Sequence, residues 1–192
     1  MIVILSTVFA YLLGSIPTAY LLGRLLRKID IRETGSGNVG GMNVYRAAGI
    51  LPGLLTVLID IGKGALAVTA ALNWSGEPLA GLLAGLLVVF GHNYSLFLKF
   101  KGGKGLATSL GVFIVLSPAT IPFVILAAAG LTLALKDTNT AFGASTLTIP
   151  AILFFQYHDL TMVLFGLLLA AIIMTRHIRD FQAYREGRRK II

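Results

Sequence analysis

Residues 105–135, GLATSLGVFIVLSPATIPFVILAAAGLTLAL, carry no charged side chain and are broken once, at Ser117-Pro118. A helix crossing a hydrocarbon core of about 30 Å needs about 20 apolar residues, so this run is too long for one span and short for two. Its division decides the topology. Further charge-poor runs lie at Met1–Gly23, Leu51–Asn73, Leu79–Leu98, Thr140–Tyr157 and Leu160–Thr175. If the central run is two spans, the total is seven and the loops on the carboxy-terminal side hold fifteen of the sixteen Lys and Arg residues. The exception, Lys63, lies inside the second span, and the opposite connections around Trp74–Pro78, Ser117-Pro118 and His158-Asp159 have neither Lys nor Arg. A single long span would instead split the cations between the two faces. Cytoplasmic loops collect positive charge, so the sequence predicts an all-α integral membrane protein of seven transmembrane helices, amino terminus outside and carboxy terminus cytoplasmic.

Composition agrees. Of 192 residues, 56% are hydrophobic and 12% charged, against roughly 25% charged in a soluble domain. The net charge of +8 favours anionic lipid head groups or phosphorylated substrates over DNA. Zero Cys excludes disulfides and thiolate chemistry. Met1–Gly23 has no cation ahead of it and no small-residue cleavage site after it, and is expected to be a retained first span. With no internal repeat or linker, residues 1–192 are expected to form a single polytopic membrane domain, its tail from Arg176 too short to fold alone.

Three segments on the basic side are unlike simple turns: GSGNVGGMNVYRAAG (Gly35–Gly49), GHNYSLFLKFKGGKG (Gly91–Gly105) and RHIRDFQAYREGRR (Arg176–Arg189). Glycines let backbone amides converge on an anion, Ser and Asn add hydrogen bonds, and Lys and Arg add charge. Two such loops suggest two phosphates, although a Gly-rich segment also serves as a flexible connector. Lys101 and Lys104 bracket Gly102-Gly103, the stronger anion pattern of the two. Arg24, Arg27, Lys28 and most of the tail read as topology signals and snorkelling anchors.

Two motif matches fail on context. Gly35, Gly37 and Gly40 satisfy G-x-G-x-x-G without a surrounding βαβ unit, and KGGKG lacks the Ser or Thr of a Walker A loop. His158 is expected to be interfacial. His92 is a structural hydrogen-bonder or an acid/base group, and His177, three residues before Asp180, presents imidazole and carboxylate on one helix face. Asp60 and Lys63 share a face inside the second span, which reads equally as a functional pair or as a salt bridge fixing helix packing. Gly81, Gly85 and Gly143 read as helix-packing contacts. No Asp and His set has metal-ligand spacing, so no metal or cofactor is expected.

The three segments resemble the bacterial glycerol-3-phosphate acyltransferases that use acyl phosphate as donor, the PlsY type. The family motifs GSGN-x-GATN-x-x-R, GH-x-x-P-x-F-x-x-FKGGKG-x-AT and RH-x-x-N with a later Gly appear as GSGNVGGMNVYR, GHNYSLFLKFKGGKGLAT and RHIRD with Gly187. The resemblance covers the whole chain. It implies catalytic roles for Ser36, Arg46, Lys104 and His177, and substrate or phosphate binding by Gly37, Asn38, Asn43, Lys101, Gly102, Gly103, Thr108 and Asp180. Departures are Gly41-Met42 for Ala-Thr, Ser95 for Pro, Asp180 for Asn and Arg189 for a glutamate. A carboxylate at 180 repels phosphate, so lowered activity is expected from it.

The reaction so implied is transfer of a fatty acyl group from acyl phosphate to the 1-hydroxyl of glycerol 3-phosphate, giving lysophosphatidic acid and phosphate, the first acylation of phospholipid biosynthesis. Its expected setting is the bacterial inner membrane, multi-pass, with the active site on the cytoplasmic face. Expected partners are fatty acyl phosphate, glycerol 3-phosphate and membrane lipids, with no nucleic acid, and the chain is expected to be a monomer. Because neither His92 nor His177 has a sequence-evident partner to fix its tautomer, the substrate's own phosphate oxygen is the favoured proton acceptor. The competing class is a transporter or flippase for an anionic lipid or phosphate, supported by Asp60 and Lys63 and by the broken central run. No two-half repeat supports it.

Overall fold

The structure is a computed structural model that describes residues 1–187, and over that range it is helical with no strand. Arg188, Arg189 and Lys190, counted above among the cytoplasmic cations, lie outside the described residues, as does the Arg189 departure. Four helical stretches are long and apolar enough to cross a membrane: Ile2–Arg27, Ile50–Ser75, Pro78–Leu98 and Leu160–Arg185. The chain forms two compact units that divide between Leu116 and Ser117.

In the first unit, α1 (Ile2–Ser15) and α2 (Thr18–Arg27) are separated at Ile16-Pro17, where Pro lacks the N–H to continue the ladder and pushes the preceding residue out of the helical region. The expected first span is therefore two helices. After a loop come α3 (Gly41–Ala48), α4 (Ile50–Ser75), α5 (Pro78–Asn93), a 3-10 turn at Leu96–Leu98 and α6 (Leu106–Leu116). The α3 helix occupies most of what reads from composition as a Gly-rich loop. Glycines set the helix seams. A Cβ at Gly14 would overlap the Val88 carbonyl and one at Gly91 the Tyr11 carbonyl, joining α1 to α5. Gly64 meets the Thr108 carbonyl and Gly111 the Ile61 carbonyl, joining α4 to α6. Such close backbone approach is what holds helices together in lipid, where apolar burial gives no advantage. Leu5, Val8, Leu58 and Leu66 are exposed on the outer faces.

The second unit contains α7 (Thr120–Leu135), α8 (Thr138–Ser145), a 3-10 turn at Thr146–Thr148, α9 (Ile149–Tyr157) and α10 (Leu160–Arg185). Asp137 and Asp159 cap α8 and α10, accepting from Thr140 N at 2.7 Å and Met162 N at 2.9 Å. The Ser117 hydroxyl lies 2.8 Å from Thr120 Oγ1 and accepts from the Tyr157 hydroxyl at 2.8 Å, while Gln156 Oε1 accepts from Thr120 at 2.8 Å. The start of α7 is thereby pinned to the end of α9.

The charge-free run divides where expected, with α6 ending at Leu116 and α7 beginning at Thr120. Residues 140–157 differ from the single span expected, because the turn at Thr146–Thr148 interrupts them just before Pro150. The last helix also runs on past Thr175 to Arg185. No Gly or Pro intervenes before Gly187, so the segment read as a tail is helix as far as Arg185.

Candidate functional site

Asn43 organises the first Gly-rich segment. It is 3% exposed; its Nδ2 lies 3.0 Å from the carbonyls of Ile31, Thr34 and Asn38, and its Oδ1 accepts from Ser36 N at 3.0 Å. The loop can curl around this amide because Gly35 and Gly37 adopt φ of +57° and +67°, a region costly for residues with a Cβ, and a Cβ at Gly35 would meet Asn43 Oδ1 itself. Ser36 and Arg46 stay exposed, and Asn38 is half-buried. Arg46 closes the last turn of α3, where the helix dipole favours a cation. Ile31, Val39, Val44 and Ala48 form the apolar floor with Ala19 and Leu98.

The sequence reading missed Asp30, and took Arg24 and Arg27 for simple anchors. The Asp30 carboxylate, 3% exposed, accepts from Arg32 at 2.6 and 2.9 Å and from Arg24 at 2.9 Å. Both guanidiniums also lie over the Tyr20 ring, at 4.8 Å for Arg32 and 5.6 Å for Arg24. Arg32, through its side-chain hydrogen bonds first, holds the Asp30 carboxyl well below the usual carboxylate range, against the opposing cost of burial. Arg27 Nε donates to the Ala48 carbonyl at 2.9 Å, tying α2 to the end of α3. The available signal was an acid with cations on both sides, Arg27 and Lys28 before it and Arg32 after it.

The second segment winds back onto the end of α5. Phe100 N donates to Ser95 O at 2.8 Å, Lys101 N to Leu98 O at 3.1 Å, Gly102 N to Asn93 O at 3.1 Å and Gly103 N to His92 O at 3.0 Å. The amides of Gly102 and Gly103, expected to hold a phosphate, are thus directed into the loop. Their lack of a Cβ is what lets the chain pass: a Cβ at Gly102 would overlap the His92 carbonyl, and one at Gly103 would overlap both His92 Nε2 and the Val39 carbonyl. Gly103 is therefore a point of backbone contact between the two segments, beside the packing of Leu98 on Val39 and Val44. Lys101 is exposed and Lys104 half-buried. Ser95, where the family motif has Pro, donates to Ser15 O at 2.5 Å and so anchors the turn to α1. Thr108, by contrast, is fully buried in the α4–α6 seam, away from the loop surface. A cavity of about 10 Å³ beneath the two segments is lined by Thr18, Val39, Asp60, His92, Gly102 and Gly103 among others.

In the second unit, His177 and Asp180 are both buried on α10, at 0% and 3% exposed. His177 Nδ1 lies 3.0 Å from the Ile173 carbonyl. A carbonyl only accepts, so in this contact Nδ1 carries the proton. The expectation that no partner fixes its tautomer is corrected by this backbone contact. Gly143 packs on the same ring, its Cβ position 2.8 Å from Cγ and Cδ2, so it positions His177 as well as packing helices. Among the described residues no three His, Asp or Glu side chains gather as a metal site.

A profile of the family described as glycerol-3-phosphate acyltransferase matches residues 4–187. Glycerol-3-phosphate acyltransferase 2 of Dehalococcoides mccartyi is 43% identical over 92% of this chain and 84% of its own length. Glycerol-3-phosphate acyltransferase of Carboxydothermus hydrogenoformans is 41% identical over 96% and 94%. Among solved structures, PlsY, an integral membrane glycerol 3-phosphate acyltransferase, superposes in its glycerol 3-phosphate form with a TM-score of 0.90 at 33% identity, over 99% of this chain and 95% of that one. Its lysophosphatidic acid form gives 0.88. The transporter reading has no counterpart among these matches. With the matched region reaching from the first turn of α1 past the end of α10, this chain belongs to the glycerol-3-phosphate acyltransferase family and is an acyltransferase of the membrane.

Proposed function

We propose that the chain transfers a fatty acyl group from acyl phosphate to the 1-hydroxyl of glycerol 3-phosphate, as a monomer embedded among the lipids of the bacterial inner membrane, with its reacting groups on the cytoplasmic face. In this reading residues 1–192 form one polytopic domain of seven spans, amino terminus outside. The observation that carries the site is the contact at Gly103, which joins the GSGN segment to the KGGKG segment. Arg46, Lys101 and Lys104 bring the cations that two phosphate-bearing substrates require. The side chains of Ser36 and Asn38 hydrogen-bond a phosphate; Gly37, expected to bind it, instead turns the loop, its N–H donating to the Thr34 carbonyl, and Asn43 holds that loop in shape. Gly102 and Gly103 shape the second loop, leaving its anion contacts to the two lysines, and Thr108 secures the helix that follows. Asp180 opposes phosphate binding.

The hydroxyl oxygen of glycerol 3-phosphate attacks the acyl carbonyl carbon; the new C–O bond forms as the bond to phosphate breaks, and phosphate leaves with the electron pair. Phosphate is a good leaving group, so no covalent enzyme intermediate is needed, and positioning with charge stabilisation supplies the acceleration. His177 keeps the catalytic role that the family motif implies, its Nδ1 held by the Ile173 carbonyl. The hydroxyl proton goes to an oxygen of the departing phosphate, so the step needs no protein base.

The test is phosphate release from palmitoyl phosphate by purified protein in micelles, with and without glycerol 3-phosphate, beside Lys104→Ala. The expected result is acceptor-dependent release that falls about 100-fold in the variant. Release from folded protein that ignores the acceptor, or that survives Lys104→Ala, overturns the reading.

A further inference from the structure

Asp60 and Lys63 sit within the 26-residue apolar helix α4, 2% and 5% exposed, with 2.8 Å between Oδ1 and Nζ. A buried ion pair in lipid is costly, and apolar side chains of similar volume would pack α4 as well. The surroundings show what the pair faces. On one side Lys63 Nζ donates to the Ile16 carbonyl at 3.2 Å, at the break between α1 and α2. On the other, the Asp60 oxygen that meets Lys63 lies 3.7 Å from His92 Nδ1, beyond a direct hydrogen bond but across the small cavity that both residues line. That cavity has room for about one water, and the buried Thr18 hydroxyl at its wall has no hydrogen-bond partner among the described residues.

The far side of the same imidazole supports the second Gly-rich loop. A Cβ at Gly103 would overlap its Nε2, and the carbonyl of His92 accepts the Gly103 N–H. We propose that Asp60, acting through His92, is a positioning residue for the Lys101–Lys104 loop: the carboxylate orients the ring, the ring supports Gly103, and the loop presents its lysines to phosphate. Lys63 neutralises the carboxylate and holds it toward His92. This rests on the assignment of a phosphate to that loop.

The experiment uses Asp60→Asn with Lys63→Met, which removes both charges without stranding either, and reads amide hydrogen exchange over residues 99–105 alongside kinetics and thermal stability in micelles. Positioning predicts a melting temperature near that of the wild type, raised exchange at the Gly102 and Gly103 amides, and a fall of about 10-fold in kcat/KM for acyl phosphate. A folded double variant with unchanged exchange and unchanged kcat/KM overturns the proposal. Should the double variant not fold, His92→Gln leaves the Asp60–Lys63 pair in place and is expected to raise the same exchange; a folded His92→Gln protein with unchanged exchange is equally fatal. The exchange measurement reads the loop whether or not acyl transfer occurs, so a wild-type protein without acceptor-dependent phosphate release counts against the proposed function and leaves the positioning test standing on its own.

Discussion

At Asp30, burial and hydrogen bonding oppose each other and hydrogen bonding wins, because Arg32 approaches through two nitrogens and Arg24 through a third. A carboxyl whose pKa is lowered on folding stabilises the native state above its unfolded value of about 4, and that stabilisation is lost as pH falls further toward the native value. The α2–α3 loop is therefore expected to hold a steady melting temperature from pH 8 to 5 and to weaken below about pH 4. Asp30→Asn is expected to remove this acid limb and to cost about 1 kcal/mol at neutral pH, a discounted figure because both arginines are close to half exposed. An acid limb of the same size in the variant would place its origin elsewhere. Asp180 gives the opposite case, a buried carboxylate in a protein that handles phosphates. Asp180→Asn is expected to raise turnover several-fold in side-by-side assays, and a variant with no gain removes the repulsion argument. Asp180 announced itself as a departure from a motif, whereas Asp30 did not, since its meaning depends on Arg24 and Arg32 converging from either side of a turn.

Among the elements, α3 was hidden in the sequence by its own composition. Glycines at 35, 37, 40 and 41 read as loop, yet eight residues from Gly41 are helical, held by close packing on α4 where a Cβ at Gly53 would sit 2.6 Å from Tyr45 Cβ. Tertiary contact of this kind overrides propensity and leaves no local signal. The same interface explains one departure from the family motif. Gly41 stands where Ala is usual, and a Cβ there would overlap Val57 Cγ2, so the glycine and the valine form a matched pair. Gly41→Ala is expected to destabilise by about 1–3 kcal/mol through overpacking, and Val57→Ala added to it is expected to recover most of that loss. Thermal melts of the single and double variants decide; a double variant no more stable than Gly41→Ala alone would show that Val57 is not the obstacle. The breaks at Pro17 and Ser117-Pro118, by contrast, follow from proline chemistry that is visible in sequence, although only the second was anticipated.

On the scale of the whole chain, helix length does not by itself fix the topology that the positive-inside argument predicts. Four helical stretches are long enough to cross, but α6 has eleven residues, a rise of about 16 Å against a core of about 30 Å, so length alone leaves the number of crossings open. The positive-inside rule favours seven spans, which would put every Lys and Arg except Lys63 on one face, and the Ser117–Thr120–Gln156–Tyr157 cluster places two cation-free connections at the same end of the second unit. The absence of native cysteine allows a direct test with single replacements at exposed positions. Glu77→Cys and Ala119→Cys are expected to react with a membrane-impermeant maleimide in intact cells, and Glu33→Cys and Arg185→Cys only after the membrane is opened. Arg185 is the deciding position, because a single crossing by residues 105–135 would turn every later segment over and carry α10's last turn outside. Labelling of Arg185→Cys in intact cells, with Ala119→Cys protected, would therefore replace seven spans by six and remove the cytoplasmic face from His177.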